Sequence, residues 1–180
     1  TTSKNAYFGY QAGYSNTGGN ITVMGYQAGY AHTTGSTLDA FGYSAGASNT
    51  TGTGNVAIGF QSLTSNTTAS NNTAVGYQAL TANTTGSYNV AVGDLALDAN
   101  TTSNFNTAVG SRAASASTGT RVTALGAFAL TANTTGSDVT AVGGDALGSN
   151  TTGSNNTAVG KSAMYANTTG TRNVAVGTIS

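Results

Sequence analysis

The sequence predicts an all-β fold, a parallel β-solenoid or β-roll of about eleven 17-residue coils. Three observations carry the solenoid. A glycine recurs at Gly9, Gly25, Gly42, Gly59, Gly76, Gly93, Gly110, Gly126, Gly143, Gly160 and Gly177, at intervals of 16 or 17 residues. The residue before each is apolar without exception: Phe8, Met24, Phe41, Ile58, Val75, Val92, Val109, Leu125, Val142, Val159 and Val176. The 180 residues contain no proline, which would interrupt a ladder of backbone hydrogen bonds between coils. A fixed period over a whole chain marks units that pack on their neighbours. Seventeen residues are too few for a helical hairpin, so residues 1–180 read as a single repeat array.

The unit is close to N-x-A-V-G-x-x-A-L-x-x-N-T-T-G-S-x, which suits two short strands and two turns. Its first segment is rich in β-branched residues, as in Asn55-Val56-Ala57-Ile58, and reads as a strand. Alternation along a strand separates two faces. The unbroken column of large apolar residues (Ile58, Val75, Val92, Val109) is expected to form the stacked core. The alanines between them (Ala57, Ala74, Ala91, Ala108) then face outward, either as an interchain column that lets a partner chain approach closely or as small solvent-facing residues.

Four residues after the glycine lies a second apolar column: Gly13, Gly29 and Gly46, then Leu63, Leu80, Leu97, Ala114, Leu130, Leu147 and Met164. Gly stands where the pre-glycine residue is Phe or Met, and from the fifth coil Leu mostly stands where it is Val. The exchange reads as volume compensation across a close-packed interior, with Leu63, Leu80 and Leu97 facing the first column.

The remaining columns read as turns. One holds Asn16, Asn49, Asn66, Asn83, Asn100, Asn133, Asn150 and Asn167, with His32 and Ser117 standing in twice. Another holds Asn5, Asn55, Asn72, Asn89, Asn106, Asn156 and Asn173. Asn tolerates left-handed backbone, and stacked amides form ladders. The glycine of T-T-G is expected to supply positive φ. The two 16-residue units both shorten this turn, where a solenoid accepts a deletion.

Composition excludes several functions. Five Lys+Arg, five Asp and one His give zero formal charge, so no basic groove for nucleic acid can form. No apolar run reaches the roughly 20 residues of a membrane-spanning helix, and without cysteine there is neither a disulfide nor a thiolate metal site. Leu, Ile, Val and Phe make up only 28 of 180 residues, little for an ordinary globular core. With no initiator Met, the chain is expected to be a segment of a longer fibrous protein.

The N-x-A-V-G units, as in Asn72-Thr73-Ala74-Val75-Gly76, resemble the repeats in head domains of trimeric autotransporter adhesins. The fuller unit from Asn72 to Ser87 is also similar to repeats of bacteriophage tail-fibre proteins. The resemblance spans nearly the whole chain. It implies a left-handed parallel β-roll with three chains forming the head, an inward pair at positions such as Val90 and Val92, and a trimer-facing small residue at Ala91. The longer, Thr-rich second turn of this sequence departs from the adhesin pattern. Neither family implies an enzyme at these positions.

A search for chemistry agrees. His32 occupies a turn column and reads as a substituted Asn. Asp94 and Asp98 share one coil and approach the spacing of glycosidase carboxylates, yet no second candidate group surrounds them. The turns are Asn-Thr-Thr rather than Asp-rich, which disfavours calcium, and no cofactor is expected. One column breaks the monotony: Tyr10, Tyr26, Tyr43, Phe60 and Tyr77 stand directly after the glycine in the first five coils. Such an aromatic ladder stabilises the rod by stacking, or offers a flat surface to sugar rings of a cell-surface glycan or other host-surface receptor. The function expected is a structural and adhesive segment of a trimeric fibre, a phage tail fibre or a bacterial surface adhesin, outside the cell. A competing expectation is an ice- or crystal-surface binder using Thr and Asn ladders. Against it, adjacent threonines on a strand point to opposite faces.

Overall fold

The computed structural model describes residues 4–179. Among them the chain forms one parallel sheet of eleven strands stacked in sequence order. The strands are β1 Ala6–Phe8, β2 Asn20–Met24, β3 Thr37–Phe41, β4 Asn55–Ile58, β5 Thr73–Val75, β6 Val90–Val92, β7 Thr107–Val109, β8 Thr123–Leu125, β9 Thr140–Val142, β10 Thr157–Val159 and β11 Val174–Val176. Equivalent positions of neighbouring repeats pair, as Ala74 with Ala91 and Val75 with Val92. The fold is a β-solenoid of about ten turns, each close to 17 residues, rising about 4.8 Å per coil.

Each coil contains one strand rather than the expected two. After the corner glycine the chain runs through a series of tight turns in which backbone handedness alternates. Gln78 and Leu80 both have φ of 51°. Alternate amides bond within the coil and between coils. Thr81 N–H donates to the Gln78 carbonyl (3.3 Å) and Asn83 N–H to the Leu80 carbonyl (3.2 Å), while Leu80 N–H donates to Ala96 of the next coil (3.0 Å). This geometry lets two consecutive residues, Ala79 and Leu80, both point inward and be fully buried. Strand alternation would forbid it.

The strand faces opposite to expectation. Ala57, Ala74, Ala91 and Ala108 are fully buried inside the coil, whereas Ile58 and Val109 are exposed and Val75 and Val92 half-exposed on its outer surface. The alanines therefore cannot contact a partner chain, and the pre-glycine residues are not the core. Leu63, Leu80 and Leu97 do form the core, each with zero exposure. The reason is the narrow section of the coil. A leucine from the turn wall fills it, and the strand opposite has room for Ala alone.

Volume compensation is present, but between different partners. In the first coils the wall residue is glycine and the strand supplies the bulk. A Cβ placed on Gly13 would strike the Tyr7 ring, and one on Gly29 would meet Val23 and Leu38. Phe8, Met24 and Phe41 take no part. This wall column sits at φ of 50–61° throughout, so its early glycines suit the backbone and its leucines hold left-handed geometry, roughly 1–2 kcal/mol less favourable for an L-residue.

The corner glycines, Gly9 to Gly177, lie at φ of 124–141°, and apart from the last a Cβ on each would press into the carbonyl of the next corner glycine. Both requirements are met by glycine alone. The T-T-G glycines behave otherwise. Gly52, Gly86, Gly136 and Gly153 do not have positive φ; there the adjacent coil's carbonyl approaches closely. Ala69 and Ser103 occupy the same column, so neither handedness nor the approaching carbonyl restricts it to glycine. The short coils lose their residue between the two Asn columns, as expected. Gly119 N–H bonds Ser117 Oγ (3.3 Å) across the shortened turn.

Between the end coils both asparagine columns lie inside, from Asn49 to Asn150 in one and from Asn55 to Asn156 in the other. Asn66 Nδ2 donates to Asn49 Oδ1 (2.6 Å), Asn83 to Asn66 (3.0 Å) and Asn100 to Asn83 (3.0 Å). Ser117 Oγ accepts from Asn133, which accepts from Asn150. In the second column Asn72 Oδ1 accepts from the Asn89 backbone N–H (2.9 Å), while Asn72 Nδ2 donates to the Gly86 carbonyl (2.8 Å). Buried amides with every arm bonded rigidify an interior poor in hydrocarbon.

Candidate functional site

Function, in a coil filled by its own side chains, falls to the outward columns. The first is the outer face of the sheet. Phe8 is 71% exposed and Val176 76%, with Met24, Ile58, Val109, Leu125 and Val159 between them at lower exposure. Beside this stripe, two residues earlier on each strand, run Thr22, Val56, Thr73, Val90, Thr107, Thr123, Thr140 and Thr157, with Asp39 the one charge among the described strands. The result is a flat, almost uncharged face along the entire stack.

The second is the aromatic ladder, where the expected stacking is present. Tyr10, Tyr26, Tyr43, Phe60 and Tyr77 stack with ring centroids 5.5, 4.9, 5.2 and 5.3 Å apart and planes within 15°. All five are exposed. The rings cover one another's faces, so no sugar ring fits between them; only edges, hydroxyls and the outer faces of the two end rings are open. Tyr14 and Tyr30 form a shorter stack at 5.4 Å.

A further pair, Tyr88 and Phe105, stacks at 5.3 Å in a column that sequence reasoning passed over. Its signal was present: Asn71, Tyr88, Phe105, Arg121, Asp138, Asn155 and Arg172 all precede the second asparagine column, and all have φ of 55–62°. Arg121 and Asp138 continue it as a two-pronged ion pair, Nε to Oδ1 2.5 Å and Nη2 to Oδ2 2.8 Å. Both are solvent-exposed, so water screens the pair and its contribution to stability is small.

Asp94 is exposed, and Asp98 turns Oδ1 into a buried place without a hydrogen-bond partner. Burial pushes the Asp98 carboxyl up, against its own backbone hydrogen bond and the nearby Arg112 charge. Among the described residues no three His, Cys, Asp or Glu side chains gather to hold a metal ion, and no helix is long and apolar enough to cross a membrane. His32 replaces asparagine in the buried ladder. Asn49 Nδ2 donates to its Nδ1 (2.9 Å), so Nε2 carries the proton and donates to the Gly35 carbonyl (2.9 Å). Burial lowers its pKa.

The threonine turns are divided. At most turns the first Thr of the pair bonds the next coil, as Thr50 Oγ1 to the Thr67 carbonyl (3.0 Å) and Thr134 Oγ1 to the Thr151 carbonyl (3.0 Å). Only the second, such as Thr68, Thr85 and Thr152, is exposed at every turn. With the asparagines inside, the turns present threonines alone, the second of each pair throughout and the first at Thr101, Thr134 and Thr168.

No family model, curated protein or solved structure matches the chain.

Proposed function

We propose that this chain is a structural and adhesive segment of a homotrimeric fibre, a phage tail fibre or bacterial surface adhesin, that projects outside the cell toward a host surface. The supporting observation is the outer face of the sheet. Its apolar part, the eleven pre-glycine residues at roughly 40 Å² each, comes to on the order of 400 Å², the size of the largest apolar patch on a typical monomer, and with the Thr-rich column beside it the whole face presents on the order of 900 Å². That matches the roughly 800 Å² each partner gives to a stable interface. A second or third copy laid parallel repeats the same residues at the same pitch, so every coil meets an equivalent coil. The similarity of the N-x-A-V-G units to fibre and adhesin repeats supports the same reading. In this arrangement the strand's outer residues, not its alanines, lie between chains.

Light scattering on the purified chain tests it. The expected mass is three times that of the chain, and Val109→Asp with Val142→Asp should give a monomer that keeps its β-sheet circular dichroism. A well-folded wild-type monomer at micromolar concentration would refute the reading.

A further inference from the structure

The first five coils carry a stripe that the other coils lack. Beside each ladder ring, at the next residue, stand Gln11, Gln27, Gln61 and Gln78, with Ser44 in the third coil. These amides also line up along the stack: Gln27 Nε2 donates to Gln11 Oε1 (2.9 Å), and Gln78 Nε2 to Gln61 Oε1 (2.9 Å). From the sixth coil the two columns change to Asp94-Leu95, Ser111-Arg112, Ala127-Phe128, Gly144-Asp145 and Lys161-Ser162. Through the Tyr and Gln coils these columns carry no charge.

We propose that this stripe is a binding track for an uncharged, extended polysaccharide lying along the solenoid axis, with one sugar per coil. A linear β-linked sugar chain presents the same chemistry at each ring: apolar C–H faces and edges bearing hydroxyls. The track offers a matching pair at each step, an aromatic edge and a side chain with amide or hydroxyl groups. The step is the 4.9–5.5 Å separation of the rings, close to the advance of one sugar in an extended chain. Because the ring faces are already stacked on one another, the sugar chain runs across their edges, and many weak equivalent contacts add along its length. The absence of charge selects against acidic polymers, which find cations only farther along, at Arg112 and Lys161. The track deepens the host-contact part of the proposed function. It does not depend on the trimer, since it lies past the corner glycine from the sheet's outer face.

The test is calorimetric titration of the full chain, in whatever oligomeric state it adopts, with neutral β-1,4-linked glucose oligomers from monosaccharide to hexasaccharide. Affinity should rise with each added sugar until the oligomer spans the five rings, then level off. Tyr26→Ala with Tyr43→Ala should weaken the longest oligomer by at least about tenfold, while Phe128→Ala and Tyr165→Ala leave it unchanged. Should the ladder variant unfold, Gln27→Ala with Gln61→Ala keeps the rings and should still weaken binding severalfold. No binding by the wild type, affinity independent of length, or full binding by both the ladder and the Gln variants would overturn the track. A fall in light-scattering mass on removing Tyr26 and Tyr43 would also overturn it, assigning the stripe to a second copy. Trimers that ignore sugar overturn the track alone; monomers that bind it overturn only the fibre reading.

Discussion

Leu97→Ala tests which wall of the coil holds the core. Leu97 has zero exposure and lies in the same column as Leu80 of the coil before and Ala114 of the coil after. Truncation removes three carbon atoms from a closed interior, about 2.4 kcal/mol at ~0.8 kcal/mol per group. The cavity adds to this, since stacked backbones on both sides cannot collapse, which places the loss at about 2–5 kcal/mol. The φ of 51° at Leu97 strains Leu and Ala alike and cancels. Glycine differs: the relief of about 1–2 kcal/mol offsets its flexibility penalty of about 0.5–1 kcal/mol and the loss of one more buried carbon, about 0.8 kcal/mol, so Leu97→Gly should be about as stable as Leu97→Ala. The companion variant is Val109→Ala, 40% exposed on the outer face, which should cost about 0.5 kcal/mol or less in the isolated chain. Urea unfolding followed by circular dichroism, at concentrations too low for association, reads all three. Equal losses for Leu97→Ala and Val109→Ala would refute the assignment of inside and outside. A Leu97→Gly variant much weaker than Leu97→Ala would refute the left-handed wall.

The same geometry sets two further outcomes. His32 is neutral in the fold with its pKa lowered by burial, so the unfolded chain takes up a proton first as pH falls. Stability is fully present above the unfolded value near 6.5 and declines below it by up to about 1.4 kcal/mol per pH unit, until the folded pKa is reached. His32→Asn, which restores an amide opposite Asn49, should abolish that slope in thermal melts, and an unchanged slope would place the titration elsewhere. Gly93→Ala combines a φ of 140° with a Cβ directed into the Gly110 carbonyl; a loss of about 3 kcal/mol is expected in the same unfolding assay. A neutral substitution there would show that the corner relaxes.

Much of the architecture was legible because it is periodic. The glycine column located every coil corner, and the shortened repeats located the turn that tolerates deletion. The aromatic ladder could be read from position alone, since side chains at one register of a parallel stack must lie about one coil apart. The alternating-handed wall was not legible. A run such as Gly76-Tyr77-Gln78-Ala79-Leu80 suggests a second strand, and nothing in residue type announces left-handed Gln and Leu; their φ values are imposed by hydrogen bonds to the coils on either side. The Tyr88–Phe105 stack was missed because its column mixes aromatic, charged and amide residues.

By itself, the sequence determined the parallel stack, its pitch, the one-repeat register and the poverty of charge that turns function toward surfaces. Tertiary structure alone decided which strand face is inside. Val and Ala are both apolar, so alternation in N-x-A-V-G divides two faces without ranking them, and size is a misleading guide in so narrow a coil. The opposite wall ranks them: where it contributes Leu, only Ala fits across from it, and the larger residues are turned out to form the rod's exposed face.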